Sequence, residues 1–162
     1  MIIHYMQDRD RALPLSPIPR KNWEIDAYPV NEIAEYVQDV SQGDIDVLVE
    51  EYYNKYDMIL DGRDPEEFKK HVAVQAGIEI GFERFLEEKN YQAIVTHFGD
   101  LGSLKQLPGL ALQRLMEKGY GFGGEGDWKT AAMGIEAVYI DGDTTIRNLQ
   151  NELRWNSMYF SK

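Results

Sequence analysis

From Tyr91 to Met133 the chain reads YQAIVTHFGDLGSLKQLPGLALQRLMEKGYGFGGEGDWKTAAM. An apolar run rich in β-branched residues gives way to a polar loop, then to an amphipathic stretch opened by Pro108 and closed at Gly119. A glycine-rich run follows and ends in Glu125-Gly-Asp-Trp128. A strand followed by an amphipathic helix and a glycine-rich loop buries its apolar sides only by stacking in layers with other elements, so this stretch points to an α/β fold.

The flanking sequence extends the alternation. WEIDAYPV at 23–30 suits a short strand. Asn31 is placed to cap a helix with Ile33, Ala34, Val37 and Val40 on one face. Asp44 is placed to cap the next, whose Ile45, Leu48, Val49, Tyr52 and Tyr56 form an apolar stripe. Asp64-Pro65-Glu66-Glu67 combines a capping carboxylate, a proline at the first helical position and two acids at the positive dipole end. That helix runs to Glu88 and buries Phe68, Val72, Ile78, Phe82 and Phe85. Ile135 to Ile140 reads as a strand and 144–156 as a last helix. The fold class is α/β, a layered α/β/α fragment with a short, largely parallel sheet. Pro14, Pro17 and Pro19 mark residues 1–22 as an irregular N-terminal arm. Residues 23–133 form the α/β domain and 134–162 a strand–helix tail.

Composition excludes several functions. With 28 acidic against 17 basic residues and a net charge of −11, the surface repels a phosphate backbone, so nucleic acid is no partner. No apolar run reaches membrane-spanning length, and no export signal opens the chain, which implies a cytoplasmic protein and no membrane partner. Cysteine is absent, which removes disulfides and thiolate chemistry.

Gly119-Tyr-Gly121-Phe-Gly-Gly124 has GxGxxG spacing, but a helix precedes it where a dinucleotide fingerprint needs a strand. It reads better as a tight, mobile loop presenting Tyr120 and Phe122. His97 and Asp100 follow a strand's carboxyl end, where open α/β sheets keep their sites, although both suit loop hydrogen bonding better. Glu125 and Asp127 suit loop capping better than an acid/base couple, because Gly126 lets their side chains diverge. His4, His71 and His97 show no metal-ligand spacing, so no metal ligand is assigned.

Gln75-Ala-Gly-Ile-Glu-Ile-Gly-Phe-Glu-Arg-Phe85, Leu107-Pro-Gly-Leu-Ala-Leu-Gln-Arg-Leu115 and Gly124-Glu-Gly-Asp-Trp-Lys-Thr-Ala131 are highly specific strings. With Tyr28-Pro-Val-Asn31, they resemble the middle domain of L-arabinose isomerases. From Ile135 onward, through Leu153-Arg-Trp-Asn156, the chain is similar to that family's carboxyl end. The resemblance implies conversion of L-arabinose or a related aldose to its ketose through an enediol, with Mn²⁺ held by two glutamates and two histidines. It places those four ligands in a segment that would fall between Met133 and Gly134, which reads as an internal deletion. No residue here inherits a catalytic or metal role.

By the same resemblance Phe122 is the substrate contact. Glu125, Asp127 and Lys129 scaffold its loop, and oligomers or isomerase subunits are the expected partners. Three readings follow: a family chain inactive alone, a non-catalytic sugar- or subunit-binding module, or a decayed gene product.

Overall fold

The computed structural model describes residues 2–8, 23–97, 99, 101–132 and 134. The strand and helix expected over 135–156 lie outside these residues. Four strands, β1 (Ile2–Asp8), β2 (Trp23–Pro29), β3 (Ala93–Thr96) and β4 (Gly121–Gly124), form one sheet in the order β2-β1-β3-β4. Its helices are α1 (Val30–Gln38), α2 (Gln42–Lys55), α3 (Pro65–Lys89) and α4 (Gly109–Glu117), and residues 128–132 are also helical.

The α/β class expected from the sequence is found, and β3 and β4 pair in parallel. β1 lies antiparallel to both of its neighbours, so the parallel character belongs to the β3–β4 pair and the sheet as a whole is mixed. Within the arm expected to be irregular, Ile2–Asp8 is a strand: the arm's prolines all fall after it, so its seven residues pair with β2 and His4 to Met6 pair with β3 as well.

Layering follows from the alternation along β3. Ile94 joins the main core with Ile33, Phe82, Phe85, Leu112 and Leu115, which come from α1, α3 and α4. Ala93 and Val95 face the other way, against Ala131 and Ala132, with Ile25 and Trp128 beside them. A third cluster, including Val49, Tyr52, Val72 and Ala76, closes α2 onto α3. No helix of the described residues is long and apolar enough to cross a membrane.

The strongest local signal is found as written. Asp64 caps α3 by accepting from the Glu67 amide at 2.9 Å, Pro65 opens the helix, and Asn90 ends it in the left-handed region at φ 57°. The two other caps move. α2 starts at Ser41, whose hydroxyl accepts the Asp44 amide at 3.2 Å, while Asp44 pairs with Arg84 at 2.8 Å. α1 starts directly after Pro29, and Asn31 instead accepts from the Ser103 amide at 3.2 Å. In both cases a neighbouring group competes for the capping side chain, which local sequence cannot register.

One charged group sits inside the helical layer. Glu79 of α3 is fully buried and accepts at Oε2 from Arg114 Nε at 2.7 Å and from Tyr52 Oη at 2.6 Å. Its Oε1 has no aligned hydrogen bond and relies on the charge of Lys118, with Nζ 3.0 Å away. Burial, followed by donation to Glu79, drives the Tyr52 hydroxyl above its ordinary range, so it stays protonated and donates. The Arg114 guanidinium also lies over the Tyr52 ring, 4.8 Å from its centroid. Breaking such a buried pair from one side costs about 3–5 kcal/mol, so α2, α3 and α4 are held in one arrangement.

Two glycines of α3 test the packing with opposite signs. A Cβ at Gly81 would stand 2.7 Å from the backbone of Val37, so α1 touches α3 only because that position is bare. A Cβ at Gly77 would meet Ile45 Cδ1 at 3.5 Å, an ordinary contact. Gly81→Ala should therefore lose about 1–2 kcal/mol net of its gain in helix propensity. Gly77→Ala should be neutral or gain up to about 1 kcal/mol. Urea unfolding of the two variants checks this, and equal shifts of the same sign would refute the packing described.

Candidate functional site

Because β3 and β4 run parallel, their carboxyl ends open on the same edge of the sheet. Gly119, at φ 99°, closes α4, and the Gly121 amide donates to the Gln92 carbonyl at 2.9 Å, which seats β4 beside β3. Ala93 to Thr96 then face Gly121 to Gly124 one to one. The mobile loop expected here is thus a strand. Four residues containing three glycines have little intrinsic β preference, and the strand exists through its ladder and through what packs on it.

Gly123 explains the composition. A Cβ there would lie only 2.0 Å from the Asp127 carbonyl oxygen, so the segment after β4 folds back in contact with the strand's bare backbone. The reversal is a tight turn in which the Asp127 amide donates to the Gly124 carbonyl at 2.9 Å. Both central residues are left-handed, Glu125 at φ 53° and Gly126 at φ 85°. Asp127 caps the helical residues beyond, accepting from the Thr130 amide at 3.1 Å and the Thr130 hydroxyl at 2.6 Å. These bonds, the hydroxyl's first, hold its carboxyl below the usual Asp range. The cap's contribution is complete above the ordinary Asp pKa and is lost as pH falls through the lowered one. A strand does precede this turn, but the carboxylate at the helix start opposes a pyrophosphate, so a dinucleotide remains unsupported.

The left-handed Glu125 brings its side chain to His97. His97 Nε2 lies 3.3 Å from Glu125 Oε2, with the two side chains 56% and 58% exposed. His97 Nδ1 accepts from the Gly99 amide at 3.1 Å, so the neutral ring carries its proton on Nε2, facing the carboxylate. The pairing was not visible in the sequence because it depends on a non-glycine residue at positive φ. Asp100, the other candidate on this edge, lies outside the described residues.

The remaining candidates separate. Phe122 is 6% exposed and belongs to the main core, next to Ile94 in the ladder, so its ring backs the edge rather than standing on a loop. Lys129 lies over the Trp128 ring at 5.6 Å. One residue was missed. Thr96, the last of β3, is fully buried, and its hydroxyl finds no hydrogen-bond partner among the described residues. Among the described residues no three His, Asp or Glu side chains converge as a metal-holding group. His97 and Glu125 offer two donors turned toward each other, which does not fit a resident manganese.

Residues 19–141 match a family model described as the L-arabinose isomerase central domain. The L-arabinose isomerase of Geobacillus kaustophilus is 44% identical over 124 residues, 76% of this chain and 25% of that protein. That of Serratia proteamaculans is 47% identical over 121 residues, 74% of this chain and 24% of that protein. L-arabinose isomerase 1 of Clostridium acetobutylicum is 49% identical over 111 residues, 68% of this chain and 23% of that protein. The chain thus spans about a quarter of the length of the curated relatives it matches.

Two measurements check the edge. Gly123→Ala should lower stability by at least about 2 kcal/mol, since the added methyl meets backbone that cannot rotate away. Long-range ¹H–¹⁵N NMR should show a pyridine-like Nδ1 for neutral His97, and a proton on Nδ1 instead would contradict the Gly99 hydrogen bond.

Proposed function

The chain belongs to the L-arabinose isomerase family, and from that premise we propose that it is a scaffold of the isomerase, forming one wall of the aldose site without turning substrate over by itself. The observation that carries this reading is the match of residues 19–141 to the central domain, joined to a sheet edge where, among the described residues, His97 and Glu125 face each other without a third metal-holding side chain. Moving hydrogen between two sugar carbons requires an acid/base group and an electrophile at the oxygens. In this reading Mn²⁺ would supply the electrophile, held by ligands that do not come together among the described residues.

What the chain supplies is position. Sugar hydroxyls would meet His97, Glu125 and the exposed turn at Gly126, above the buried ring of Phe122. Such groups orient a polyol, and the L-arabinose to L-ribulose conversion belongs to the assembled enzyme. Association with isomerase subunits and a cytoplasmic location are parts of the same proposal.

The purified chain, given L-arabinose and Mn²⁺ in a coupled ketose assay, should stay at the no-protein blank. Turnover well above that blank would overturn the non-catalytic reading. Mixed with an intact L-arabinose isomerase, it should co-elute in size-exclusion chromatography; a separate monomer peak would remove the subunit role.

A further inference from the structure

A cleft of about 370 Å³ lies where α1 and the start of α2 cross α3, closed at one end by the segment at 103–105. It shares no residue with the sheet edge described above. Its floor is apolar, made by Val37, Ile45, Val74, Gly77, Ile78 and Leu104. Its mouth is polar, with Gln38, Gln42, Ser103 and Lys105. That volume is within the usual range for small-molecule sites, about 300–1,000 Å³.

Two observations distinguish the cleft from a packing defect. The first is charge. In a chain with 28 acidic residues, Lys105 is the only charged group among the cleft's described lining residues, and no ion pair among the described residues engages it. Asp46, which follows Gln42 by one helical turn, accepts from Gln42 Nε2 at 2.8 Å. The second is Gly77. Helix interiors disfavour glycine by about 1 kcal/mol relative to alanine, and here a Cβ would fit at ordinary contact distance. Unlike Gly81, Gly77 is not required by any neighbouring backbone, and what its missing side chain provides is open space in the floor.

We propose that this cleft binds a small amphiphilic anion, with an apolar body over Gly77 and a carboxylate at Lys105. The ammonium supplies a charge-assisted hydrogen bond, and in the same lining the Ser103 hydroxyl, which accepts from the Gln38 amide at 3.5 Å, keeps its own proton to donate. The apolar floor accounts for the tail, and the absence of acids among the described lining accounts for the sign of the head group.

Isothermal titration calorimetry of the full chain with sodium octanoate tests the proposal, with octylamine and octanol as charge-reversed and neutral controls. Octanoate should bind saturably and more tightly than either control. Lys105→Glu, at an exposed position, should weaken octanoate by about tenfold or more, the equivalent of one charge-assisted contact. Gly77→Leu should abolish binding, and circular dichroism reports whether the variant is folded. If it is not, Gly77→Ala, which only narrows the floor, should weaken binding without unfolding. Absence of saturable binding, equal or tighter binding of octylamine, or octanoate affinity unchanged in Lys105→Glu would each overturn the proposal.

Discussion

The contact of the Asp127 carbonyl with the bare backbone of Gly123 governs the edge on which the candidate site lies. Any side chain at that position would push the following helical residues away from the sheet. With them would go the left-handed turn that aims Glu125 at His97 and the cap that Asp127 provides. β4 is itself too glycine-rich to persist by propensity, so ladder, turn and cap stand or fall together. The parallel pairing then puts the ends of β3 and β4 side by side, which converts a local turn into a two-strand site.

Behind this edge, stability is distributed differently. The helical layer contains a buried carboxylate satisfied by an arginine, a tyrosine and a lysine from three directions, so α4 cannot slide along α3 without stranding a charge. Because α4 leads directly into β4, that constraint also fixes where the glycine strand begins. Stiffness in the helices and strain in the turn are therefore two ends of one chain of cause.

Signals complete within a few residues were legible in the sequence. Asp64-Pro65 with Glu67, and Gly119 after α4, specify their own hydrogen bonds and appear as expected. Signals completed by distant partners were not. Asn31 and Asp44 are good caps that other residues claim, and β4 is a strand only beside β3. Phe122 was assigned to a loop because the glycines around it suggest one. Once the strand forms, alternation sends its ring to the same side as the core residue Ile94. The pairing of His97 with Glu125 needed a backbone conformation that sequence rules assign to glycine or asparagine. The family resemblance was legible because long matching strings encode the whole ladder and core at once.

A chain that spans a quarter of its relatives' length raises the question of what a domain keeps when considered by itself. Here Tyr52, Phe82, Phe85, Ile33, Leu112 and Leu115 are all fully buried within the described residues. Among the described residues their partners come from α1 to α4 and the sheet, which pack into one connected core. Catalysis makes a different demand, since the groups that act on a sugar must converge on one point, and convergence between elements is not ensured by a packed core. A packed core beside a sheet edge where, among the described residues, His97 and Glu125 face each other without a third metal-holding group is the pattern expected where folding information is local to a domain and chemistry is assembled across several.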